Sequence, residues 1–172
     1  MLKRFSKYSR GTAAVEFAFV APIMLLMYFG MAEMTQAMMA SRRASHVAST
    51  VGDLVTQSSS LNQAAVDDIF LIGDAIMKPF PTGTLSMRFS SIKADNVGTL
   101  SIACTKHKGS FTDLTSTDGL PAGILPNNSS IILAETSYTY NSPLKQTLPY
   151  PITFTSTYYL KPRKSSEVKC LP

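Results

Sequence analysis

Apolar positions change their spacing twice along this chain, and each change predicts a different element. From Ala13 to Ala32 twenty residues run as AAVEFAFVAPIMLLMYFGMA, with Glu16 the only charge among them. At ~1.5 Å per residue a helix of that length covers ~30 Å, one hydrocarbon thickness. Pro22 removes one backbone donor inside the run and favours a kink, which spanning helices tolerate. After Ala32 the pattern becomes amphipathic. Glu33, Gln36, Arg42, Arg43 and His46 are polar, while Met34, Met38, Met39, Val47, Val51, Leu54 and Val55 are apolar. Positions 47, 51, 54 and 55 keep a helical spacing. One helix over residues 13–57 is predicted, lipid-facing in its first half and needing a partner for its apolar stripe in its second. Ser58-Ser59-Ser60 interrupts it. Ser60 with Gln63 has the form of a capping box, and Val66, Ile69, Phe70, Gly73, Ile76 and Met77 form one face of a second helix ending before Pro79.

From residue 84 the period falls to two. Leu85, Met87 and Phe89 alternate with Ser86, Arg88 and Ser90, and Leu100, Ile102 and Cys104 resume the alternation after the turn signal Asp95-Asn96-Val97-Gly98. This predicts an antiparallel hairpin. Residues 108–129 carry Gly109, Gly119, Pro121, Gly123 and Pro126 and read as an irregular loop. Ile131–Tyr140 and Ile152–Leu160 are rich in β-branched and aromatic residues and predict two more strands. The expected fold class is α+β. It has a long N-terminal transmembrane and amphipathic helix, a second short helix and a small antiparallel β-sheet head packed on the amphipathic half. The corresponding organisation is a basic leader over 1–11, a membrane helix over 12–32, an amphipathic helical region over 33–78 and a sheet head over 79–172.

Charge sets the orientation. The formal net charge is +5. Without Lys3, Arg4, Lys7 and Arg10 of the leader, 12 basic residues face 11 acidic ones, so nothing in the head's charge asks for nucleic acid. The four leader cations have no acidic residue among them, and the next basic residues are Arg42 and Arg43. The positive-inside rule places the N-terminus in the cytoplasm and the chain after residue 33 outside. A cleaved secretory signal fits poorly, because the apolar run is too long and no A-x-A site follows it before Arg42. Glu16 requires a reason of its own. An ionised carboxylate in hydrocarbon costs roughly 2.5–3.5 kcal/mol on insertion scales, so it either has a function or snorkels to the interface from a shallow position.

The segment Gly11-Thr12-Ala13-Ala14-Val15-Glu16-Phe17, behind a basic leader and ahead of an apolar run, resembles the processing site of type IV pilin-like proteins. RGTAAVEFAFVAPIML is most similar to the TadE-like group of the tight-adherence (Tad) pilus machinery. IILAETSYTYNSPL and the ending YYLKPRKSSEVKC resemble that group as well. The related TadF and TadG-like proteins remain open alternatives. The resemblance implies cleavage between Gly11 and Thr12 by a prepilin peptidase, a membrane aspartyl enzyme acting on the cytoplasmic side. It makes Glu16 the fifth residue of the mature chain, followed by Phe17. It implies a bacterial inner-membrane protein with a periplasmic head, with the extracellular pilus as a second location. Its partners would be the membrane, other pilin-like subunits and the Tad secretion machinery. Gly11 has no side chain to obstruct a protease cleft. Cleavage there would leave an α-amino group one helical turn from Glu16, and the carboxylate would pair with that amine or with a neighbouring subunit's, fixing axial register between helices. The alternative is an uncleaved single-pass anchor carrying a periplasmic binding or scaffold module.

Cys104 and Cys170 both fall on the outer side, where an oxidising compartment permits a disulfide across 66 residues; two unpaired thiols are the other possibility. No catalytic or metal site is expected. His46 and His107 are the only histidines, no C-x-x-C pair exists, and no nucleophile elbow or phosphate-binding loop occurs. Asp67-Asp68 point about 100° apart on a helix and read as a solvated face. No cofactor is expected. Five of the seven tyrosines lie within residues 138–159 and read as sheet residues with one face packed and one wet. Lys161, Arg163, Lys164 and Lys169 read as a solvated basic tail.

Overall fold

The computed structural model describes residues 9–121 and 123–171. Leader residues Lys3, Arg4 and Lys7 lie outside the described residues. The element order is α1 (Ser9–Thr56), β1 (Ser60–Leu61), α2 (Gln63–Met77), β2 (Leu85–Ala94), β3 (Leu100–Lys108), β4 (Ser130–Tyr140), β5 (Ile152–Leu160) and β6 (Lys169–Cys170). This is the expected α+β class: one long N-terminal helix with Pro22 inside it, a second helix, and a four-stranded antiparallel sheet in the order β3-β2-β4-β5. The chain divides into two compact units. One comprises the residues through Met38 with Asn141–Pro151, the other Met39–Tyr140 with Ile152–Pro172.

In the first unit the α1 residues of the apolar run face outward. Val15, Phe17, Phe19, Ile23, Met24, Leu26, Met27 and Met31 are all more than half exposed. A continuous apolar surface of this kind marks a membrane or a protein partner. The length and composition of the helix are those of a membrane span.

In the second unit α1 contributes a narrow stripe. Ala40, Ala44, Val47, Ala48, Val51 and Val55 are buried. Small residues at helical spacing let the backbone approach the sheet closely, and Thr136 Oγ1 donates a 3.0 Å hydrogen bond to the Ala44 carbonyl. A Cβ placed on Gly52 would lie 2.6 Å from Leu160 Cδ1 and 2.9 Å from Ala134 Cβ, so only glycine fits at this crossing. From α2 the residues Val66, Ile69, Phe70, Gly73 and Met77 are buried, with Phe70 packing on Phe89 at 5.8 Å between ring centroids.

The capping box does not form. The N-cap of α2 is Asn62, whose side-chain oxygen accepts the Ala65 N–H at 2.9 Å. Ser60 is taken into β1, which pairs in parallel with β6, and the Gln63 amide reaches forward to Asp67 instead of back to the cap. The turn between β2 and β3 follows its residues closely. Asp95 Oδ1 accepts the Val97 and Thr99 N–H groups at 2.9 and 2.8 Å, and Gly98 takes φ +90°. Those bonds hold the Asp95 carboxyl below its ordinary range, against the opposing effect of partial desolvation.

The loop of residues 109–129 has more structure than its glycines and prolines suggest. Leu114, Leu120, Ile124 and Leu125 pack with Leu100 on Ile92, Ile131 and Leu133, covering the sheet face opposite the helices. That cover explains why β2 and β4 are buried on both faces. The basic tail is likewise not a free terminus. The Arg163 N–H donates to the Thr56 carbonyl at the end of α1, the Arg163 guanidinium meets Asp53 at 2.7 Å, and Lys169 pairs with Glu167. Cys104 on β3 and Cys170 on β6 are joined as a disulfide, with Cα atoms 5.5 Å apart. Tyr138 and Tyr140 on the central strand β4 are buried, while the adjacent Tyr158 and Tyr159 are both exposed on the edge strand β5 and Tyr150 is exposed in the connection between the two strands, so the tyrosines do not follow a simple packed-and-wet alternation.

Candidate functional site

Two carboxylates bracket the apolar part of α1, and their surroundings are opposite. At the N-terminal end the helix begins at Ser9, so the Gly11–Thr12 bond lies inside helical backbone. A side chain added at Gly11 would meet nothing within 4 Å. Thr12, Glu16 and Phe17 are all exposed. Thr12 and Glu16 stand four residues apart, one above the other on the same helix face. The helix therefore presents the glycine, the residue after it and the carboxylate on an open surface, where an incoming protein group can reach all three.

The carboxylate at the other end, Glu33, has a functional environment that its place in the sequence did not single out. Its side chain is 1% exposed although it follows directly on the apolar run. Residues 141–151, the connection between β4 and β5, wrap around it. Oε1 accepts from the Ser142 hydroxyl and the Gln146 N–H, each at 2.9 Å. Oε2 accepts from the Thr147 and Leu148 N–H groups at 2.7 and 2.9 Å and from the Thr147 hydroxyl. Gly30 makes the approach possible, because the position of its missing Cβ lies 3.1 Å from Thr147 Cγ2. Burial by itself would push the Glu33 carboxyl up. The Thr147 hydroxyl and the Gln146, Thr147 and Leu148 amides outweigh it and hold the group down at about 2. Glu33 is ionised at neutral pH, and three successive loop amides converge on it.

The signal for Glu33 was slight. It is the first charge after the apolar run, three residues beyond Gly30, but its donors lie 109 to 115 residues later. No local spacing connects them. The loop itself (NSPLKQTLPYP) carries three prolines and no regular period.

Elsewhere several polar groups pair with one another. Arg88 bridges Glu135 at 2.7 Å and lies 5.0 Å over the Phe111 ring. His107 bonds Asp113 at 2.8 Å at the end of β3. Asp67 and Asp68 are both exposed on α2. Among the described residues no group of His, Cys, Asp or Glu has the geometry to hold a metal.

The architecture defines a class first: an α+β head joined to an N-terminal helix long and apolar enough to cross a membrane. The family comparison makes this particular. Residues 11–53 match the model of the family described as TadE-like protein, so this segment is similar to that family. The match begins at Gly11, takes in Thr12, Glu16, Phe17 and Glu33, and ends inside α1. No curated protein and no solved structure matches the chain significantly.

Proposed function

We propose that this protein is a pilin-like minor subunit or assembly factor of a bacterial Tad-type (tight-adherence) pilus, held in the inner membrane by residues 12–32. Its N-terminus lies in the cytoplasm and its head in the periplasm, as the leader charges require. A prepilin peptidase cuts between Gly11 and Thr12. The observation that carries this reading is the TadE-like match, which opens at Gly11 and covers the whole exposed apolar run. Cleavage leaves an ammonium at Thr12 one turn from Glu16. Pairing with that amine or with the amine of an adjacent subunit offsets the cost of the carboxylate in hydrocarbon. Two pilin-like helices then lock at one axial register, because any other leaves a charge unpaired. The exposed face of the apolar run supplies the packing surface.

Gly11→Leu blocks processing, so that intact-mass or N-terminal sequencing of the membrane protein finds Met1 in place of Thr12. Normal cleavage of that variant contradicts the proposal. Glu16→Ala leaves membrane insertion unchanged and abolishes or strongly reduces surface pili. Wild-type piliation in that variant removes the role given to Glu16.

One observation favours a second reading, in which the chain is an uncleaved single-pass anchor with a periplasmic scaffold module. The Gly11–Thr12 bond is helical, and a protease must unwind it before an extended substrate can enter its cleft. The N-terminal residue of protein from its native membrane decides between the two.

A further inference from the structure

Residues 141–151 lie along the apolar helix. Leu144 and Gln146 line an open groove of about 320 Å³ with Pro22, Leu25, Leu26 and Phe29, all within the proposed span. Glu33 sits one residue beyond that span, and Thr147 rests against Gly30. The loop therefore descends from the outer end of the membrane helix toward its middle. On ~1.5 Å per residue, Phe29 is ~6 Å and Leu26 ~10 Å below Glu33. That depth lies among the outer-leaflet acyl chains, just below their boundary with the headgroups.

Irregular backbone at this depth is normally costly, because unpaired amides find no water. Between Pro143 and Pro149 this loop has few to spare. Pro143 and Pro149 have no N–H. The Gln146, Thr147 and Leu148 amides are consumed by Glu33, and the Lys145 amide reaches the Ser142 hydroxyl at 3.5 Å. Among the described interactions, only Leu144 between Pro143 and Pro149 keeps an uncommitted amide. The outward side chains suit a lipid surface. Leu144 is 44% and Tyr150 80% exposed, and Lys145, also exposed, stands beside Leu144 at a positive φ of 53°. An apolar tip, an amphipathic ring and one flexible cation are what the acyl–headgroup boundary accepts.

We infer that the β4–β5 loop is a second membrane-docking element, seated in the outer leaflet. Leu144 lies among the acyl chains, Tyr150 at the headgroups and the Lys145 ammonium on a lipid phosphate. Its apolar surface is continuous with that of the α1 residues it lies beside. Glu33 acts as the latch, satisfying in one carboxylate the amides that would otherwise exclude the loop from this depth. The inference rests on the reading that residues 12–32 span the membrane, and the test separates the two.

The chain contains no tryptophan, so a single introduced indole reports its own surroundings. Full-length Leu144→Trp and Tyr150→Trp are placed in phosphatidylglycerol-containing vesicles whose lipids are brominated either near the headgroup or near the chain end. Ile23→Trp is the reference within the span. The expected result is that both loop indoles emit to the blue and lose most of their emission to the shallow bromines, while acrylamide has little effect. The reference indole responds to the deeper bromines. If the reference is quenched by lipid while both loop indoles are quenched by acrylamide and ignored by bromines, the loop is in water. The docking proposal then fails and the span stands. If the loop indoles are shielded from acrylamide and bromines alike, a protein surface covers them and lipid docking is overturned. A reference indole that no brominated lipid reaches overturns both readings.

Discussion

Glu33 shows how a single carboxylate can order a loop that has no secondary structure of its own. Three consecutive amides and two hydroxyls point at one group, so the loop conformation and the charge depend on each other. Because the carboxyl is held below its ordinary value of 4.5, down at about 2, the stabilisation is complete above pH 4.5 and is lost as the pH falls toward 2. Two results follow for hydrogen exchange in detergent. Glu33→Ala lowers protection of the Gln146, Thr147 and Leu148 amides by about tenfold or more at neutral pH, since the charged acceptor of all three is gone. The wild type loses the same protection only in the acid range. Unchanged protection in the variant would show that the loop holds itself. None of this was legible in the sequence, where Glu33 is one polar residue at the start of an amphipathic stretch. Asp95 is the contrary case. Its donors are two and four residues away, and Asp-Asn-Val-Gly announces the turn directly.

At the scale of elements, the periods of the chain carried most of the architecture. The strands at 85–94, 100–108, 130–140 and 152–160 begin where the alternation or the β-branched runs begin. The helix ends were less legible, because they depend on residues distant in sequence. Ser60 resembles a cap only until β6 arrives to pair with it. The loop of residues 109–129 also hid its part. Its leucines and isoleucines have no periodicity, since they cover a sheet face from irregular backbone. Where α1 crosses the sheet, the deciding residue is Gly52. Gly52→Val puts a branched side chain where Leu160 and Ala134 leave no room. It should destabilise the head by about 1–3 kcal/mol, measured as a lower urea midpoint. Even Gly52→Ala should fail to deliver the ~1 kcal/mol that alanine ordinarily adds in a helix. A stabilised alanine variant would show that the crossing is looser than described.

At the scale of the molecule, the head is closed by its last elements. The tail binds the end of α1 through Arg163, β6 pairs with β1, and Cys170 is tied to Cys104 across 66 residues. Replacing both cysteines by serine should lower the melting temperature by roughly 5–15 °C, the equivalent of ~2–4 kcal/mol. An equal shift should appear in the wild type on reduction. If the double variant melts with the wild type, the cross-link contributes nothing to the equilibrium. The cysteine pair was visible in the sequence as a possibility, and the expected outer location gave it a reason. The path that brings β6 beside β3 was not visible, because two-residue strands have no pattern to read.

The cross-link also imposes an order on biogenesis. Cys104 leaves the ribosome 66 residues ahead of its partner, and the strands β4 and β5 are made in between. In the orientation proposed above, the first thiol is open to any oxidant or stray thiol before its partner has been made. In that orientation the chemistry of the head is as vectorial as its synthesis, and a nascent chain stalled within β5 remains a substrate for mispairing until translation resumes.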